Sequence, residues 1–114
     1  MEPLDWNALK ENCAGDDDLV NEVLELFRKE SAGLLGDVRT AVASNESIAV
    51  KKTAHRLKGA LVSLGAAPSV AAARELERLG SEGTGTPAKF AAAYQVLEHE
   101  MARLMEVLAV AHAA

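Results

Sequence analysis

The sequence predicts an all-α fold, an antiparallel four-helix bundle with a short extra N-terminal helix, on three observations. Apolar residues recur at three- and four-residue steps through nearly the whole chain, the mark of amphipathic helices. Alternating runs, β-branched clusters and Asn-Gly or Asp-Gly hairpin turns are nearly absent. Four long helical stretches are joined by short connections, and there is no internal repeat of about 30 to 45 residues, which favours antiparallel neighbours over a solenoid.

A short first helix is expected over about 5–13, closed by Gly15. The carboxylates of Asp16, Asp17 and Asp18 then stand where they can cap a second helix and favour its positive end. That helix is expected over about 19–44, with Val20, Val23, Leu24, Phe27, Leu34, Leu35, Val38 and Val42 on its apolar face. Gly33 and Gly36 lie inside it at some cost in helix propensity, which close helix packing would explain. A turn at Ser44 and Asn45 leads to a third helix, about 46–64, striped by Val50, Ala54, Leu57, Leu61 and Leu64 and ended by Gly65. Pro68 suits the first turn of a fourth helix, about 68–79. The Gly- and Ser-rich stretch 80–87 reads as a flexible loop, and a last helix over about 88–110 carries Phe90, Tyr94, Leu97, Met101, Leu104 and Leu108 as a bundle seam.

With 114 residues, 49% of them hydrophobic and 25% charged, the chain reads as one globular domain over 1–114. Cys13 is the only cysteine, so no internal disulfide can form, and no Cys/His spacing suits zinc. Neither an export signal nor a membrane span is legible, so a reducing, cytoplasmic setting is expected. The net charge of −5 speaks against nucleic acid or an anionic membrane as partner. Charge is unevenly placed, however. The stretch 46–65 carries Lys51, Lys52, Arg56 and Lys58 against Glu46, a balance of +3, and the rest of the chain −8.

Helix geometry singles out one histidine. At roughly 100° per residue, His55 points about 160° from Leu57 and about 180° from Leu64, away from the core stripe of its helix. Lys51 lies one turn before it, Lys58 and Gly59 one turn after, and Val62 two turns after. An accessible neutral imidazole nitrogen, cations for a phosphate, and a glycine that leaves room for a partner are what a phosphorylatable histidine requires. An ordinary solvated surface histidine would occupy the same place. His99, between Glu98 and Glu100, and His112, in a tail expected to fray, lack such surroundings, and no metal-ligand spacing accompanies any of the three.

The run Thr53-Ala54-His55-Arg56-Leu57-Lys58-Gly59-Ala60, followed by Leu64-Gly65-Ala66, resembles the signature of the histidine-containing phosphotransfer (HPt) domain family. In that pattern Lys and Gly follow the phosphoacceptor His by three and four residues, here Lys58 and Gly59, and a second Gly follows by ten, here Gly65. A Gln or Glu twenty-two residues on hydrogen-bonds the imidazole, and the matching position is Glu77. The resemblance implies a phosphorelay intermediate of two-component signalling that carries a phosphoryl group on Nε2 of His55. It would accept the group from a receiver aspartate or a kinase and pass it to a receiver domain. It also implies a carrier with no ATP site and no cofactor of its own, Mg²⁺ being expected on the receiver, with Lys58 beside the phosphate and Gly59 admitting the partner. Response-regulator receiver domains and a histidine kinase or hybrid kinase are the implied partners, met by a monomer. Glu77 has a separate argument: it falls on the stripe of Ala66, Val70 and Ala73, where a carboxylate wants a polar partner unless it reaches water at the stripe's edge. Gly59, Val62, Lys51 and Arg56 are the candidate docking residues. Two other readings compete. A histidine-kinase phosphoacceptor segment would typically have an acidic residue and then Pro after the His, but Arg56 follows here and no proline precedes Pro68. A helical adaptor that transfers nothing would not need the His55, Lys58, Gly59 set.

Overall fold

The computed structural model describes residues 1–113. They form five helices, α1 (Trp6–Asn12), α2 (Asp17–Ser44), α3 (Ser47–Leu64), α4 (Ala67–Glu82) and α5 (Pro87–Leu108), and no strand among the described residues. Helix α2 packs on α3, α3 on α4 and α4 on α5, and α5 returns to α2, so the four long helices close a ring. The bundle is a rod of 45 × 23 × 21 Å.

Local chemistry sets the helix ends. Asp16 caps α2 through hydrogen bonds accepted from the Asp18 and Leu19 amides at 3.0 and 3.2 Å, while Thr86 caps α5 by accepting from Lys89 N at 3.2 Å. Gly65 ends α3 at φ +70° and accepts the Asp5 amide on its carbonyl at 3.0 Å, which ties the start of α1 to the end of α3. Asn12 completes that junction, its amide donating to the carbonyls of Val62 and Ser63 in the last turn of α3. Between the helices lie Leu24, Leu57, Leu61, Leu64, Leu76, Phe90, Leu97, Met101 and Leu104, all fully buried or nearly so.

Three details differ from the sequence reading. Helix α4 does not stop before Gly80 but runs through it to Glu82 and ends on Gly83, at φ +66°. Gly80 is a packing residue: a Cβ there would stand 2.6 Å from the Ser47 carbonyl oxygen and 2.8 Å from the Lys51 amide nitrogen, so α3 and α4 meet backbone to backbone. Gly33 and Gly36 are the opposite case, because a Cβ at either would meet nothing within 4 Å, and close packing does not account for them. Lastly, α5 ends at Leu108, and the tail beyond it lies against α2. Arg28 donates from Nε to the Leu108 carbonyl at 2.8 Å and from Nη2 to that of Ala111. Asn21 accepts the Ala113 amide at 2.7 Å and donates to the Ala113 carbonyl at 3.1 Å. The tail is held where fraying was expected.

Candidate functional site

His55 sits midway along α3 with its side chain 71% exposed, on the side turned toward α4. Its helical neighbours Ala54 and Leu57 are fully buried, so the α3 core stripe holds the ring outward. Helix α4 runs antiparallel beside it, and Glu77 reaches across from the edge of the α4 apolar stripe. Glu77 Oε2 lies 2.7 Å from Nδ1 of His55, and Glu77 Oε1 accepts a hydrogen bond from Lys58 Nζ at 2.9 Å. One carboxylate therefore bridges the imidazole and the ammonium. The side chains of both Glu77 and Lys58 are only 20% exposed, while the ring they support is open to solvent.

The charge state of Glu77 follows from its contacts. Burial raises its pKa, but the hydrogen bonds from Lys58 and His55, with the attraction of both groups, outweigh burial and leave the carboxyl below its ordinary value of 4.5. An ionised carboxylate can only accept, so Nδ1 of neutral His55 carries the proton and donates it. The lone pair is then on Nε2, which has no partner among the described residues. A nucleophilic nitrogen faces solvent from a ring whose tautomer is set by the protein.

The remaining expected residues surround this group unequally. Gly59 is exposed, and a Cβ there would meet nothing within 4 Å, so packing within the chain makes no demand for glycine and the space above α3 is open. Val62 is 51% exposed. Separately, a groove of about 170 Å³ lies between α2 and α3, lined by Val23, Phe27, Ala60 and Leu64. Lys51 is exposed, and Arg56 extends the other way, its Nη1 4.0 Å from Asp37 of α2. Lys58, expected beside a phosphate, donates a hydrogen bond to Glu77. Sequence reasoning missed Leu26, 55% exposed on the rim of the same groove. Its signal is a large apolar residue off the α2 stripe, between Leu24 and Phe27. His99 and His112 are exposed and stand apart from this cluster, and no group of three or more His, Cys, Asp or Glu is arranged to hold a metal among the described residues.

The family model described as the Hpt domain matches residues 22–109, more than three quarters of the chain and all of α3 and α4. The chain belongs to the Hpt domain family. No curated protein and no solved structure matches it. Hpt domains are helical phosphocarrier modules of two-component signalling that have no ATP site of their own and interact with kinases and receiver domains. In this Hpt domain the exposed imidazole, the bridging carboxylate and the open glycine occur together on the α3–α4 face, and no described helix is long and apolar enough to cross a membrane.

Proposed function

We propose that this Hpt domain is a phosphorelay intermediate whose phosphoacceptor is Nε2 of His55. The observation that carries the reading is the hydrogen bond of Nδ1 to Glu77, which leaves the lone pair of an exposed ring on Nε2. In the forward step that lone pair attacks the phosphorus of a receiver's aspartyl phosphate. The N–P bond forms as the acyl P–O bond breaks, and the aspartate leaves as carboxylate. The ring gains positive charge as it reacts, and Glu77 stabilises it through the Nδ1 hydrogen bond. Transfer to a second receiver is the same step reversed, and a kinase can load the same nitrogen. This chain needs no cofactor of its own for these steps; Mg²⁺ belongs to the receiver.

The docking surface comprises Gly59, over which the partner approaches, Val62 as an apolar contact, and Lys51 and Arg56 as cations at the rim. A monomer serves this purpose, since the apolar stripes of the four helices satisfy one another within one chain. A cytoplasmic setting belongs to the same reading, as the compartment in which such kinases and receivers would meet it. The test is incubation with receivers of the same organism charged by acetyl phosphate, following acid-labile phosphate on this chain. Label that appears on wild type and is lost in His55→Gln supports the reading, whereas label that persists in the variant moves the site elsewhere.

A further inference from the structure

Gly33 does nothing for the packing of the bundle. It is exposed in the middle of α2, where glycine weakens a helix, and a Cβ there would meet nothing within 4 Å. Two contacts between the antiparallel helices α2 and α3 fix its height relative to His55. Asp37 stands 4.0 Å from Arg56, and nearer the start of α2 Leu26 and Glu30 line a groove with Ala60 and Ser63. Between those two points Gly33 comes level with Gly59, which is exposed and equally without a neighbour. The turn of each helix brings both glycines to one flank. At about 100° per residue, Gly59 lies roughly 40° from His55 on the side of Arg56, hence of α2, and Lys58 roughly 60° away on the side of α4. On α2, Gly33 shares a line with Leu26, Glu30 and Asp37, the residues that meet α3, whereas Gly36 lies about 60° further round and away from it.

We infer that Gly33 is a specificity-determining residue for phosphotransfer: with Gly59 it leaves a gap across α2 and α3 that selects receivers carrying a large side chain at that point of contact. The inference rests on the reading of His55 as phosphoacceptor. Two physical arguments carry it. On the α4 side of the ring Lys58 and Glu77 are joined and occupy the space beside it, so an element bringing an aspartyl phosphate to Nε2 has its clearance on the α2 side, over Gly59. Packed helices stand about 8–10 Å apart and a helix with its side chains is about 10–12 Å across, so a helix laid over Gly59 covers Gly33 as well. The second argument is selectivity. A gap helps only the partner that fills it: a large side chain there gains dispersion contacts with the bare backbone, whereas a small one leaves a void. Closing the gap therefore penalises the first partner and hardly touches the second.

The experiment charges a panel of receivers of the same organism with acetyl phosphate and compares their transfer to wild type, Gly33→Gln and Ala32→Gln. Ala32 is exposed on the same helix but on the flank turned away from α3, and serves as the control. All are first confirmed as folded by circular dichroism; Gly33→Gln should melt no lower than wild type, since helix propensity favours it, and Gly33→Met replaces it if it is unfolded. Gly33→Gln is expected to slow the receiver that wild type prefers about tenfold and the least preferred one by less than about twofold, while Ala32→Gln keeps the wild-type ranking. Calorimetric titration with the preferred receiver, uncharged, should show the same loss as a rise of about tenfold in Kd. Equal slowing of every receiver, wild-type rates in Gly33→Gln, or the same change of ranking in Ala32→Gln would overturn the inference. Should wild type accept no phosphoryl group from any receiver, the reading of His55 fails, while titration of the panel against wild type and Gly33→Gln still decides whether Gly33 selects among them.

Discussion

Glu77 and His55 are twenty-two residues apart in the chain and 2.7 Å apart in space, joined across two antiparallel helices by a carboxylate that also holds Lys58. The ring is exposed and its support is not, which separates reactivity from stability at this site and makes the two separately measurable.

Replacing His55 by Gln should abolish phosphate acceptance and leave the thermal midpoint nearly unchanged. A side chain 71% exposed contributes little to folding, and substitutions of that kind stay within about 0.5 kcal/mol. Label transfer and a thermal melt on one preparation decide both halves, and an unfolded variant would contradict the exposed placement of the ring.

Glu77→Gln should alter the acid limb of stability. The folded carboxyl titrates below its ordinary 4.5, so it stabilises the protein above that value, and the contribution is lost as pH falls through the folded pKa. The stability gap between wild type and Glu77→Gln is therefore expected to be constant near neutrality and to close below about pH 4.5. Urea titrations at several pH values measure it; a gap that widens toward acid would mean that Glu77 is held neutral.

At Gly59 stability and activity should move in opposite directions. A side chain there meets nothing within 4 Å, and replacing an exposed helical glycine gains up to about 1 kcal/mol in propensity. Gly59→Gln is expected to melt higher than wild type and to transfer phosphate at least tenfold more slowly, because the partner's path to His55 is filled. Stopped-flow or gel-based transfer assays together with a melt would read both.

Val62→Glu puts a charge where a partner would bury an apolar contact. It should raise the Kd for a receiver about tenfold, a cost near 1.4 kcal/mol, without changing helicity. Titration calorimetry with the cognate receiver settles it, and wild-type affinity would remove Val62 from the docking surface.

Gly80→Val tests the joint between α3 and α4. With backbone atoms of Ser47 and Lys51 under 3 Å from any Cβ, the helices must separate, and a loss of about 1–3 kcal/mol is expected. The variant should also transfer poorly, since Glu77 lies one turn away on the same helix. Full stability would show that the approach is not tight in solution.

How much of this was legible beforehand depended on the range of the interaction. Periodicity, caps and terminating glycines act within a few residues, which is why the helices containing Leu57, Phe90 and Met101 could be placed from spacing alone, and why His55 could be turned outward. The family pattern then pointed to Glu77. What the chain does not spell out is how far one helix slides along another. The partner of Lys58 depends on that axial offset, and so does the role of Gly80, which reads as a loop glycine until α3 is laid against it. Gly33 and Gly36 erred in the other direction, because propensity shows that a glycine is costly and not whether anything lies beside it. Leu26 was hidden by the stripe itself, since attention to the buried face passes over apolar residues just outside it.

The bonds of Arg28 and Asn21 to the tail bear on how the bundle comes apart. Chain ends are where opening of a helical protein ordinarily starts, and their amides usually exchange with solvent long before those of the interior. Here Leu108, Ala111 and Ala113 are fastened to the first long helix by side chains that reach some eighty to ninety positions along the chain. The last turn of α5 cannot peel away without breaking contacts of α2. The seam between the first and last bundle helices must therefore give way together with the tail, so the amides of the last turn of α5 are expected to exchange with those of α2 rather than ahead of them.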